Sequence, residues 1–208
     1  MSKVDLSQHD LRGYTPGRSY WFRAAWLIIE AFTLLNPFFV SYRLKAHILR
    51  AFGASIGRSL VIKPRVHIKY PWRLSIGDYV WLGERAWIDN LADVRIGDNV
   101  CISQGAYICT GNHDWSDRQM GLVTKPVTVD AGAWIAAFAK VAPGVHVGQD
   151  AVIGFGGVLV DDAESAGIYF GNPAKRIGTR TVQPRQNVAD ADNQLEPRTQ
   201  AVPRKLLG

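Results

Sequence analysis

The chain has 208 residues, 47% hydrophobic and 20% charged, which excludes a disordered polymer and allows one globular domain with appendages. Its net charge of +6 suits an anionic partner: a phosphate-bearing ligand, a membrane surface or nucleic acid. No Lys/Arg-rich run with interleaved aromatics is present, so nucleic acid ranks last of the three.

Residues 1–19 are polar, and no secretory leader is expected there. Trp21 to Val40 is rich in Trp, Phe, Leu and Ile but is cut by Arg23, Glu30, Asn36 and Pro37. A spanning helix needs roughly 20 mostly apolar residues without mid-span charge, so none is expected. The pattern predicts a helix from about Tyr20 to Leu35, stopped at Asn36-Pro37. A basic amphipathic helix then runs from about Val40 to Phe52 and carries Arg43, Lys45, His47 and Arg50. Residues 20–53 therefore read as two helices that pack on the main domain, anchor to a membrane interface, or do both.

From Ile56 the chain repeats. Aliphatic residues fall six apart at Ile76, Leu82 and Ile88; at Ile96, Ile102 and Ile108; and at Val129, Ile135, Val141, Val147, Ile153 and Leu159. A fixed short period marks a solenoid, and six residues point to a parallel β-helix of triangular coils, with each aliphatic residue turned inward. Sandwich strands would show period two and hairpin turns instead. The glycine that often follows the aliphatic residue is expected at a tight corner with unusual backbone angles. Cys101 and Cys109 fall inside the repeat without metal or redox spacing, and read as small half-buried thiols in a reducing compartment.

Val129 to Val147 makes one clean coil of 18 residues, Ile56 to Ile76 takes 20, and Ile108 to Val129 takes 21. That last coil holds the sequence CTGNHDWSD, from Cys109 to Asp117. A long loop in an otherwise regular solenoid is a candidate site, and it contains His113. His9, His47, His67 and His146 lack such a setting and read as ordinary satisfied histidines.

With "FGASIG" (52–57), "VRIGDNVCISQGAYICTGNHDWSD" (94–117), "KPVTVDAGAWI" (125–135) and "GNPAKRI" (171–177), the chain resembles the hexapeptide-repeat acyltransferases. More narrowly, it resembles the colanic-acid biosynthesis acetyltransferase family, related to the galactoside, maltose and nodulation-factor O-acetyltransferases. The resemblance covers most of residues 50–180. It implies a mainly β fold, a left-handed parallel β-helix over residues 54–180, a homotrimer with sites between subunits, and acetyl-CoA as donor.

The resemblance makes His113 the general base that takes the acceptor hydroxyl's proton, a task suited to an imidazole near neutral pH. A base needs a partner on its other nitrogen. Asp114, Asn90 and a backbone carbonyl of the next subunit are the candidates. Asn90, Asn112, Asp114 and Trp115 are expected to bind the acceptor, with Trp115 either stacking on a sugar face or wedging the loop. The donor face is expected at Trp134, Ala136, Ala137, Phe155 and Gly156, with Lys175, Arg176 and Arg180 on the CoA phosphates. Relatives carry a small residue where Phe155 stands, and a Thr-Lys pair where Val160-Asp161 stands. These departures favour the main alternative, a non-catalytic trimeric scaffold.

A γ-type zinc carbonic anhydrase shares the fold but needs three converging histidines. His113 alone is well placed for such a site, so no metal is expected. The acceptor is expected to be a sugar or lipid-linked sugar of exopolysaccharide biosynthesis. The expected location is the cytoplasm, at or near the inner face of the membrane. Residues 181–208 are polar and Pro-interrupted, and read as a mobile tail.

Overall fold

The twelve aliphatic residues counted above, from Ile76 to Leu159, are all buried. Their period follows from the geometry: a computed structural model, describing residues 3–183, is a three-sided parallel β-solenoid. Residues 1–2 and 184–208 lie outside the described residues, and with them most of the expected tail.

The first face stacks Ser55–Ile56, Leu74–Ile76, Val94–Ile96, Val127–Val129 and His146–Val147. The second stacks Val61–Ile62, Trp81–Leu82, Cys101–Ile102, Trp134–Ile135, Val152–Ile153 and Gly167–Gly171. The third stacks His67–Ile68, Trp87–Asp89, Tyr107–Cys109, Lys140–Val141 and Val158–Leu159. Pairing is parallel and in register, so Ile62, Leu82, Ile102, Ile135 and Ile153 form one unbroken interior column. Burying each such side chain contributes about 1.5–3 kcal/mol. Small residues two places before the next aliphatic, such as Ala86, Ala106, Ala133, Ala139 and Ala151, are also buried.

The corners correct one expectation. Gly77, Gly83 and Gly97, which directly follow the aliphatic residue, do not have positive φ. They are glycine because a β-carbon there would collide with the backbone of the next coil. The left-handed residue sits three places after the aliphatic one: Ser59, Arg65, Tyr79, Arg85, Asn99, Gly105, Gly132, Phe138, Gly144, Asp150 and Gly156 all have φ between 55° and 88°. These corners thus each carry one strained angle, mostly at non-glycine residues, whereas the corners after Ile68, Ile88, Ile108 and Leu159 have none at that position.

The predicted helices form, slightly shorter than expected: α1 spans Tyr20–Phe32 and α2 spans Tyr42–Ala51, N-capped by Ser19 and Ser41. They cap the open end of the solenoid, where an edge strand would otherwise present unpaired backbone. From α1, the Trp26 indole donates to the Ile68 carbonyl at 2.9 Å, and buried Glu30 accepts from the Ile68 N–H at 2.7 Å. From α2, Lys45 donates to the Ile62 carbonyl at 3.2 Å and Arg50 to the Ile56 and Gly57 carbonyls. Lys45 is therefore buried, not on the basic solvent face where the helical pattern put it, and burial lowers its pKa. Among the described residues, no helix is long and apolar enough to cross a membrane.

Candidate active site

The solenoid's rhythm breaks at a β-hairpin. Gly111–His113 leaves the coil and pairs antiparallel with the returning Leu122–Thr124, His113 opposite Leu122. Buried Thr110 roots it, donating to the Asp89 carbonyl and accepting from the Ala92 N–H, each at 2.9 Å. Gly111 follows because a β-carbon there would collide with the Leu91 side chain. Lys125 N–H closes the base of the hairpin on the Thr110 carbonyl at 2.9 Å. The "TG" before the histidine loop is thus a mechanical root.

Between the strands, Asp114 Oδ1 accepts from the Ser116 N–H and hydroxyl. Asp117 accepts from the Gln119 and Gly121 N–H groups. Both carboxylates also receive Arg12, at 3.2 Å for Asp114 and 2.8 Å for Asp117. The Ser116 bonds, and then Arg12, hold Asp114 below the usual carboxylate range. The Gln119 N–H, followed by Arg12, does the same for Asp117.

His113 is exposed, and its Nδ1 lies 2.8 Å from the Met120 carbonyl oxygen. A carbonyl only accepts, so Nδ1 carries the proton and the lone pair of the neutral ring is on Nε2. This is the tautomer a general base needs. Within this chain the group on Nδ1 is a carbonyl of the same loop, and it is neither Asp114 nor Asn90. Asp114 is committed to Ser116 and Arg12. Asn90 is buried, with its amide donating to the Tyr70 carbonyl at 2.7 Å and accepting from the Tyr70 N–H at 2.9 Å. Asn90 therefore ties two coils together and is not on the acceptor surface of this protomer.

An open cavity of about 380 Å³ adjoins the imidazole, lined in part by Asn112, Asp114, Trp115, Lys125, Pro143 and Val160. Trp115 is 87% exposed, so it does not wedge the loop against its own coils. Asn112 uses its Oδ1 to accept the His113 N–H at 2.8 Å. Lys125 escaped the sequence reading, although it marks the point where the repeat resumes after the loop.

The expected donor residues lie elsewhere. Trp134 is on the second face, its indole donating to Ser103 Oγ at 2.9 Å. Ala136 and Ala137 are buried at the next corner, and Phe155 is 67% exposed with its ring edge-on to Phe138 at 5.7 Å. Gly156 has φ of 66° at an open corner. None of these lines the His113 cavity, because the hairpin leaves the solenoid after the third face. Lys175 and Arg176 are exposed on the last strand, Ala174–Thr179, where Arg176 donates to Thr179. Arg180 is not a free cation: it donates to the Gly132 carbonyl at 2.8 Å and pins that strand to the coils.

His67 and His146 each sit beside a carboxylate. His67 Nδ1 lies 2.8 Å from buried Glu30, off hydrogen-bond geometry, and His146 Nε2 lies 2.7 Å from Asp130. Among the described residues, no group of three or more His, Cys, Asp or Glu is placed to hold a metal.

No protein-family model matches the chain. It is 34% identical over 177 residues to the Escherichia coli (strain K12) protein named "Putative colanic acid biosynthesis acetyltransferase WcaF", a match covering 85% of this chain and 97% of that one. Nodulation protein L of Rhizobium leguminosarum bv. viciae is 37% identical over 131 residues, covering 62% of this chain and 68% of its own length. A hexapeptide-repeat-containing acetyltransferase of Vibrio cholerae O1 biovar eltor, solved with acetyl coenzyme A, superposes with a TM-score of 0.70. That match covers 86% of this chain and 98% of that one at 18% identity, a likeness of fold. The chain belongs to the hexapeptide-repeat acetyltransferases, in the colanic acid biosynthesis acetyltransferase family.

Proposed function

We propose that this chain transfers an acetyl group from acetyl-CoA to a sugar hydroxyl, with His113 as general base. The observation that carries the reading is the Nδ1–Met120 contact, which leaves the Nε2 lone pair free beside the cavity. Nε2 takes the acceptor's hydroxyl proton as the oxygen bonds to the thioester carbonyl carbon. The tetrahedral intermediate collapses with cleavage of the carbon–sulfur bond, and the imidazolium returns the proton to the departing thiolate. The products are the sugar acetate and free CoA. Lys125 at the cavity wall adds the positive potential that a developing oxyanion favours. Asn112, Asp114 and Trp115 surround the acceptor position. Neither Cys101 nor Cys109 has a histidine partner, which supports direct attack without an acyl-enzyme.

The working unit in this reading is a homotrimer. His113 and the donor residues lie on different faces of one chain, so a neighbouring copy would complete the site. The family relative named for colanic acid biosynthesis supports an exopolysaccharide acceptor. Peripheral contact with the inner face of the cytoplasmic membrane, and a lipid-linked acceptor, are supported by the outward side of the helical cap. There Trp21, Ile28, Phe32 and Phe38 are exposed, alongside exposed Arg43 and His47.

The test is CoA release from acetyl-CoA across nucleotide-linked and lipid-linked sugars, comparing the protein with His113→Ala. Turnover by the parent and a loss of orders of magnitude in the variant are expected. Turnover unchanged by the substitution overturns the general-base role. Failure of the protein to bind acetyl-CoA would favour the scaffold alternative, which the exposed Phe155 supports.

A further inference from the structure

The N-terminal segment does not behave as an appendage. Its far end is pinned to the solenoid: Tyr14 OH donates to the Leu91 carbonyl at 3.1 Å, and the Thr15 and Pro16 carbonyls accept from Arg73 and Trp72, each at 2.7 Å. From there the chain runs back across the histidine loop. Leu122 N–H donates to the Asp10 carbonyl at 3.3 Å, and Asp5 N–H to the Arg118 carbonyl at 2.9 Å.

Two side chains of this strap act at the base itself. Arg12 bridges Asp114 and Asp117, joining the residue after His113 to the turn that delivers Met120. The guanidinium lies against Gly121, where a β-carbon would displace it from its present position. His9 Nδ1 lies 3.0 Å from the Gln119 carbonyl, one residue before the carbonyl that orients His113. The two imidazoles meet edge to face, with centroids 5.5 Å apart. Two rings anchored to successive carbonyls, Gln119 and Met120, restrain each other's rotation.

We infer that the strap is part of the active site, with His9 and Arg12 as positioning residues that hold the Met120 carbonyl and the His113 ring in the productive tautomer and rotamer. This rests on His113 being the base. Without the strap the loop keeps its hairpin, but the His113 ring is free to turn away from Met120. A base misplaced by about 1 Å loses on the order of 100-fold in rate.

The experiment takes the full-length protein and compares His9→Ala, His9→Phe, Arg12→Met and Gly121→Ala. Two readouts are followed: steady-state kinetics, and the imidazole nitrogen resonances of His113. Expected for His9→Ala and Arg12→Met is a fall in kcat of about 10- to 100-fold, with KM for acetyl-CoA changed less than about twofold. His113 should shift from one Nδ1–H tautomer to a mixture. Gly121→Ala crowds the guanidinium while leaving Arg12 in the chain, and should shift His113 in the same direction as Arg12→Met by a smaller amount. His9→Phe keeps the edge-to-face ring but loses the bond to the Gln119 carbonyl, and should recover part of the kcat lost in His9→Ala. A His113 spectrum and kcat unchanged in both His9→Ala and Arg12→Met overturn the proposal, as does a His9→Phe variant no better than His9→Ala. If His113→Ala keeps full turnover, the general-base reading fails by itself, and the His113 spectrum still decides whether the strap orients the ring.

Discussion

The coils and the histidine hairpin are built on opposite economies of interaction. In the coils from Ser55 to Leu159 every strand is two or three residues long, yet neighbours pair in register and an aliphatic column fills the interior. Outside the repeat, the helical cap holds the end coil, through Trp26, Glu30, Lys45 and Arg50. The hairpin contributes no such column: Asn112 and His113 are exposed, and its turn is held by hydrogen bonds and by Arg12 from a segment a hundred residues away in sequence. A solenoid face is rigid because each coil templates the next. A side chain that must meet a substrate has to leave that template, and something else must then hold it.

This contrast can be broken from either side. The largest effect is expected at His113: replacement by alanine should lower kcat about 10²- to 10⁴-fold and leave the melting temperature nearly unchanged, read by CoA release and calorimetry. Ile102→Ala should do the reverse. It removes one unit of the interior column, should cost about 2–5 kcal/mol of stability in denaturant titration, and should leave the kcat of the folded fraction close to normal. A large rate loss there would mean that coils and hairpin are not separable.

Thr110→Val sits at the boundary between the two. It leaves the Ala92 N–H and the Asp89 carbonyl without their side-chain partner, at a cost of about 1–3 kcal/mol, and should loosen the hairpin root enough to lower kcat as well. The smallest effect concerns acid. The Ser116 bonds at Asp114, the Gln119 N–H at Asp117 and then Arg12 at both hold these carboxyls below their ordinary value of 3.8, so this turn network contributes at every pH above that value and is lost only as pH falls through the depressed folded-state values. Carboxyl resonances of both residues should therefore titrate below 3.8, and Arg12→Met should move both upward. A midpoint at or above 3.8 in the parent would show that the turn network, Arg12 included, is not formed in solution.

The outer end of the strap illustrates why part of the site escaped the sequence. His9 lies in a polar stretch with no periodicity, and nothing in "SQHDLRG" marks it as a neighbour of His113. The Met120 carbonyl has no side-chain signature at all, since any residue supplies one. Asn90 misled for the opposite reason: an amide next to a strand has the chemistry of a ligand contact, and only its burial against Tyr70 reveals a brace between coils.

Six-residue spacing by itself determined the solenoid, the inward column and the place where the column stops, because an aliphatic residue every sixth position is stable only when it stacks on its equivalent. The sequence also placed both helices, through their apolar and basic patterning and the Asn36-Pro37 break, while the caps Ser19 and Ser41 came from the structure. Only the tertiary structure decided that these helices cap open strand edges, that the strained angle falls three residues past the aliphatic, and that residues 5–12 lie across the hairpin. These depend on contacts between segments far apart in the chain, where a backbone carbonyl or a glycine's missing β-carbon matters more than any local pattern.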